Sequence, residues 1–127
     1  MGVGMGARVR LAEILLPSTE LDLVSMEDTG GLVRIRYSRG RGRERLGGTV
    51  EFEDARAYRY RAESHCTEWH VEAYDTLLEV EGSPWIDELV AVMPSDLHDL
   101  FHMHHYMIYL DGVGCYEVVA GSWRCGT

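Results

Sequence analysis

His104-His105-Tyr106-Met107-Ile108-Tyr109-Leu110, then Asp111-Gly112-Val113-Gly114, then Cys115-Tyr116-Glu117-Val118-Val119-Ala120 is the stretch that decides the fold. Two runs rich in Tyr, Val and Ile favour extended backbone, and the Asp-Gly between them accepts the positive φ that a tight hairpin demands. Side chains alternate along a strand, so His104, Tyr106, Ile108 and Leu110 share one face and His105, Met107 and Tyr109 the other. Both faces are largely apolar. The hairpin is therefore expected to be central in its sheet and covered on each side.

Working back from it, Ser83-Pro84 predicts a helix start, with Ser as cap, Pro in the first turn and Asp87 and Glu88 near the positive end. Trp85, Ile86, Leu89 and Val90 form the expected buried stripe, and Pro94 ends the helix. Ser95-Asp96 opens a second short helix, expected to run to about His102. Residues 67–80 are ambiguous. Trp69, Ala73 and Leu77 share a helical face, while Trp69, Val71 and Ala73 also alternate; the shortness of Thr76–Val80 before Gly82 favours a strand. Earlier, residues 32–37, 49–53 and 57–62 alternate and predict an antiparallel meander with one wet face. Residues 8–16 read as a strand, and residues 20–27 as a short strand or irregular segment. The Gly-rich residues 1–7 read as a disordered leader without the charged n-region of a signal peptide. The expectation is a single α+β domain over residues 8–127: an antiparallel sheet of about six strands, with one or two short helices packed on one face.

The segment Tyr74–Val80 with Ser83-Pro84-Trp85, followed by His105–Ala120, resembles the C-terminal half of small, acidic, uncharacterised bacterial proteins. Some of these are encoded beside toxins as immunity factors. The resemblance covers the last third of the chain at the level of pattern and brings no site residue with it.

Composition narrows the function. The 127 residues include no Lys, Asn or Gln, and all twelve basic residues are Arg, which points to a GC-rich bacterial source. No apolar run approaches the roughly 20 residues that span a bilayer. Three cysteines without paired spacing argue against a disulfide framework, so the cytoplasm is the expected location. The net charge of −9 is unevenly spread: residues 1–61 hold eleven Arg against nine acids, and residues 62–127 one Arg against twelve. An acidic half of this kind is either simple solvation or a surface for a protein partner with a basic surface; nucleic acid is disfavoured as a partner. Glu68, Glu72, Glu79 and Asp87 are the candidate partner-binding residues, and a homodimer is a further possibility.

Three other constellations carry chemistry. His98 and His102 stand four apart on the expected second helix, and with His104 and His105 they suggest a zinc site and a small metal-dependent enzyme. His65, Cys66 and His70 form a second group. No Cys-x-x-Cys or His-Glu-x-x-His supports either, and satisfied structural histidines explain the pattern as well. The Gly-rich stretch from Arg34 to Arg45 offers Arg39, Arg41 and Arg43 for an anionic ligand, or ion pairing within the protein with the acidic half. Glu51 with Glu53, and Glu79 with Glu81, are paired carboxylates whose ordinary place is the wet side of a strand. Cys66 lies beside His65, but sequence neighbours on a strand point apart, and no Gly-x-Ser-x-Gly occurs. No catalytic residue and no cofactor is assigned; zinc belongs only to the metal alternative.

Overall fold

The computed structural model describes residues 7–40 and 43–126. The expected leader lies outside the described residues except for Ala7, whose carbonyl accepts the Glu81 N–H at 2.6 Å. Nine strands follow among the described residues: β1 (Arg8–Glu13), β2 (Leu23–Thr29), β3 (Leu32–Arg39), β4 (Leu46–Glu53), β5 (Ala57–Ala62), β6 (Thr76–Val80), β7 (His104–Leu110), β8 (Gly114–Ala120) and β9 (Ser122–Gly126). Two short helices, α1 (Glu68–Val71) and α2 (Pro84–Ala91), flank β6. One sheet has the order β1-β6-β7-β8-β5 and the other β2-β3-β4-β9, with every neighbouring pair antiparallel.

The hairpin β7–β8 is central, as its composition demands. Tyr106 pairs with Val118 and Ile108 with Tyr116. Its tip turns through Gly112 at φ +72° and Gly114 at φ +137°. A Cβ at Gly114 would stand 2.1 Å from the Arg61 carbonyl oxygen, so only glycine fits there. The even-numbered face of the hairpin meets the second sheet. Tyr106, Ile108, Leu110, Tyr116 and Val118 pack with Leu77 against Val33, Ile35, Tyr37, Val50 and Phe52. Each such side chain contributes on the order of 1.5–3 kcal/mol by leaving water.

The odd-numbered face is covered by the helices. Leu78, Val80, Met107, Tyr109 and Cys115 form a second cluster with Ala73, and Cys66 and Trp69 pack against it. Gly82, at φ +62°, turns the chain from β6 into α2, where the Ser83 hydroxyl caps the Ile86 N–H at 3.3 Å and Pro84 occupies the first turn. The α+β class with antiparallel sheets and short helices thus holds, in three layers: sheet, sheet, helices.

Several local expectations are corrected. Residues 57–62 do not continue the meander of β3 and β4. They cross to the other sheet and pair with β8, because Asp54 at φ +55° turns the chain. The ambiguous residues 67–80 are both things in turn, a one-turn helix and then a strand. The expected helix over 95–102 is only a 3₁₀ turn at Ser95–Leu97. Trp85, Ile86, Leu89 and Val90 are half-buried, since α2 lies over the sheet at the surface.

The two sheets are joined by one bent ribbon. β4 leads into β5, and β8 into β9 through Gly121 alone. The corner keeps its hydrogen bonds: Arg56 N–H to the Val119 carbonyl at 2.7 Å and Gly121 N–H to the Glu53 carbonyl at 2.9 Å.

Candidate functional site

Glu117 lies in the middle of an otherwise apolar strand and is 2% exposed. A carboxylate so placed needs partners, and it has two. Arg59, its register partner on β5, donates from Nε and Nη2 to the two carboxylate oxygens, both at 3.0 Å. His105, on the same face of β7, donates from Nε2 at 2.7 Å. With that proton facing Glu117, Nδ1 is an acceptor, and the Ser83 hydroxyl donates to it at 2.7 Å. The chain of donors therefore runs from the Ile86 N–H through Ser83 and His105 to Glu117, which Arg59 closes from the other side. Burial pushes the Glu117 carboxyl up, but the hydrogen bonds from His105 and Arg59 and the guanidinium charge outweigh it and hold it at about 2.

Serine, imidazole and carboxylate in series is the order of groups in a nucleophilic triad. Two features give it another role here. The Ser83 oxygen is 97% buried with its residue and is held as a helix cap. Arg59 already neutralises Glu117, which leaves the carboxylate little free charge to stabilise an imidazolium. The series is a tie that fixes the start of α2 to the centre of the sheet.

Beside the tie lies a pocket of about 350 Å³ between α1 and α2, lined by Trp69, Trp85, His70, Arg59, Arg61 and Glu88 among others. The Arg59 guanidinium lies 4.0 Å from the Trp85 ring centroid. His70 is 6% exposed; its Nδ1 accepts the Thr67 N–H at 3.0 Å and the Thr67 hydroxyl at 2.9 Å, and burial lowers its pKa.

The residues expected to bind a partner are not gathered on one face. Glu68 and Asp87 are exposed on the helical layer. Glu72 pairs with Arg8, and Glu79 faces the opposite side of its sheet, where it accepts from His104 Nδ1 at 2.7 Å. On α2 and its flanks the exposed acids are Glu81, Asp87, Glu88, Asp96 and Asp99.

The histidines of the metal alternative do not converge. Without the helix over 95–102, His98 and His102 share no face; His98 Nε2 hydrogen-bonds the Met93 carbonyl at 3.0 Å. His104 and His105 sit on opposite faces of β7, and among the described residues no group of three His, Cys, Asp or Glu side chains is placed to hold a metal.

The arginine stretch is paired, though with acids of the first half and not with the acidic second half. Arg39 reaches Glu20 at 2.6 Å, Arg45 reaches Asp22, and Arg36 reaches Glu27 at 3.0 Å. Arg43 is exposed, and Arg41 lies outside the described residues. Across the open face of the second sheet, Glu27, Arg34, Glu51 and Arg124 stand side by side as register partners. They form a ladder of alternating charge.

Ser83, His105, Glu117 and Arg59 form a unit that spacing along the sequence does not reveal. The signal was present in Glu117, a lone acid in a strand apolar on both faces, and in the facing Arg59. No protein-family model, no curated protein and no solved structure matches the chain.

Proposed function

We propose that this is a small acidic recognition protein of the immunity or regulatory kind, which engages the basic surface of a protein partner through α2 and the segment after it. The observation that carries the reading is the segregation of charge. Most described arginines of the first half are engaged by acids: Arg34 and Arg36 on the open face of the second sheet, Arg39 and Arg45 through Glu20 and Asp22, and Arg8, Arg10, Arg56 and Arg59 elsewhere. Glu81, Asp87, Glu88, Asp96 and Asp99 are exposed and form no salt bridge among the described residues. Val92 and Leu100, 82% and 64% exposed, stand in the same segment. Exposed acids and apolar side chains in one segment suit a partner that offers cations beside an apolar patch.

Nucleic acid is repelled by the same field. A second copy of this chain would bring the same acids, so a homodimer would use another surface. Among the described residues no helix is long and apolar enough to cross a membrane. The three free cysteines suit the reducing bacterial cytoplasm as the place of action.

The test is to capture the partner from its host with immobilised protein and follow association at increasing salt. From about 0.01 M to about 0.15 M the Debye length falls from roughly 30 Å to roughly 8 Å, so the on-rate drops steeply. Asp87→Arg and Asp96→Arg slow association while the fold is kept. An on-rate indifferent to salt overturns the reading. Loss of binding only with Arg39→Glu or Arg43→Glu would move the anionic-ligand reading ahead.

A further inference from the structure

The pocket between α1 and α2 is rich in donors and poor in acceptors. Arg59 uses Nε and Nη2 on Glu117, which leaves Nη1. Arg61 makes one long contact, from Nη1 to the His65 carbonyl at 3.4 Å, and is otherwise open. His70 accepts at Nδ1, so its neutral ring carries the proton at Nε2, which has no partner among the described residues although the residue is nine-tenths buried. The Trp69 indole N–H has no partner but is closed off from solvent, so Trp69 offers the pocket its ring and not its donor. Against these, Glu88 is the one lining carboxylate, and the hydroxyls of Ser83 and Thr67 are occupied within the protein. Nη1 of Arg59, the Arg61 guanidinium and the His70 Nε2–H are thus donors left over for a ligand that brings acceptors.

We propose that this pocket binds a small organic carboxylate with a flat apolar body, the body against the indoles of Trp69 and Trp85 and the carboxylate on Arg61, with Arg59 and His70 as supporting donors. A guanidinium presents paired N–H groups that match a carboxylate better than any neutral acceptor. The two indoles supply flat apolar area, and about 350 Å³ admits one or two fused rings. Charge balance limits the ligand to a single negative charge: Arg59 is matched by Glu117, Glu88 offsets part of Arg61, and His70 adds a donor without charge. The inference stands apart from the acidic surface, whose test uses Asp87 and Asp96.

The experiment titrates the whole protein with benzoate, cinnamate and 2-naphthoate, each beside its own carboxamide, by calorimetry and by the indole N–H signals in NMR. At least one acid is expected to bind about tenfold tighter than its amide, with shifts at Trp69 and Trp85 and none at Trp123. Arg61→Gln, at an exposed position that leaves the fold intact, brings the acid down to the affinity of the amide, and Glu88→Gln strengthens the acid. The proposal is overturned if acid and amide bind alike, if none of the acids binds below about 1 mM, or if the shifts fall on Trp123 instead.

Discussion

Two carboxylates in this protein are gripped in the same way and do different work. Glu117 is held by Arg59 and His105 inside the sheet-helix layer, with its side chain 3% exposed. Glu51 is held by Arg34 and Arg124 on the open face of the other sheet. At Glu51 water can replace either arginine, so the ladder keeps like charges apart and the sheet face soluble while adding little to stability. At Glu117, itself 3% exposed, water has little access to take a lost partner's place, even though the Arg59 side chain is 49% exposed. The same pairing therefore weighs far more on stability there. The difference lies in the surroundings, not in the bonds.

The comparison is broken most directly at Glu117. Glu117→Ala leaves Arg59 and the buried His105 without their acceptor and is expected to cost about 3–5 kcal/mol in urea unfolding, as the loss of one partner of a buried pair does. A loss no larger than that of a surface pair would show that water reaches the tie. Ile108, on the opposite face of the strand from His105, supplies an apolar yardstick. Ile108→Ala is expected to cost on the order of 2–5 kcal/mol through lost burial and a cavity, and a value below about 0.5 kcal/mol would remove the hairpin from the core.

Acid sharpens the contrast next. The folded Glu117 carboxyl, at about 2, lies below its unfolded value near 4.5. Its contribution is therefore complete above pH 4.5 and lost as pH falls towards 2, on the order of 3 kcal/mol. The wild-type urea midpoint should fall over this range by more than that of Glu117→Gln, and equal falls would assign the acid sensitivity elsewhere. The smallest effect belongs to the ladder. Hydrogen bonds from Arg124 and then Arg34 lower the Glu51 pKa, but Glu51→Gln should destabilise far less than Glu117→Ala. The remaining difference from wild type should fade in about 1 M salt, where the Debye length is roughly 3 Å. A salt-independent loss would make the ladder structural.

Much of the architecture was legible because it is written in local patterns. The two apolar faces of residues 104–110, the Asp-Gly tip and the Ser-Pro helix start each have a local physical cause, and each formed where the sequence put it. The partition of strands between two sheets was not legible. Residues 57–62 alternate as cleanly as residues 49–53, and nothing local says that Asp54 adopts a positive φ and sends the chain across. The expected helix over 95–102 rests on spacing alone: Leu97, Leu100 and Phe101 fit a helix, but Leu100 stays 64% exposed and only a 3₁₀ turn forms at Ser95–Leu97. The site was the least visible part. Ser83, His105, Glu117 and Arg59 come from four distant segments, and only the isolation of Glu117 in its strand hinted that they meet.

The bent ribbon has a consequence for the order in which the chain can be finished. β7 and β8, the middle of one sheet, and β9, the edge of the other, all come from the last quarter of the sequence. Until that quarter is made, β1 and β6 hold no central neighbour, β5 has nothing to pair with, and β4 keeps an open edge. Such long-range pairings are slow to form and leave apolar edges exposed meanwhile. Loss of β9 alone would reopen only the edge of β4. β7, β8 and β9 thus act together as the closing stitch of both sheets, and a nascent chain stalled before them would be the form most exposed to aggregation.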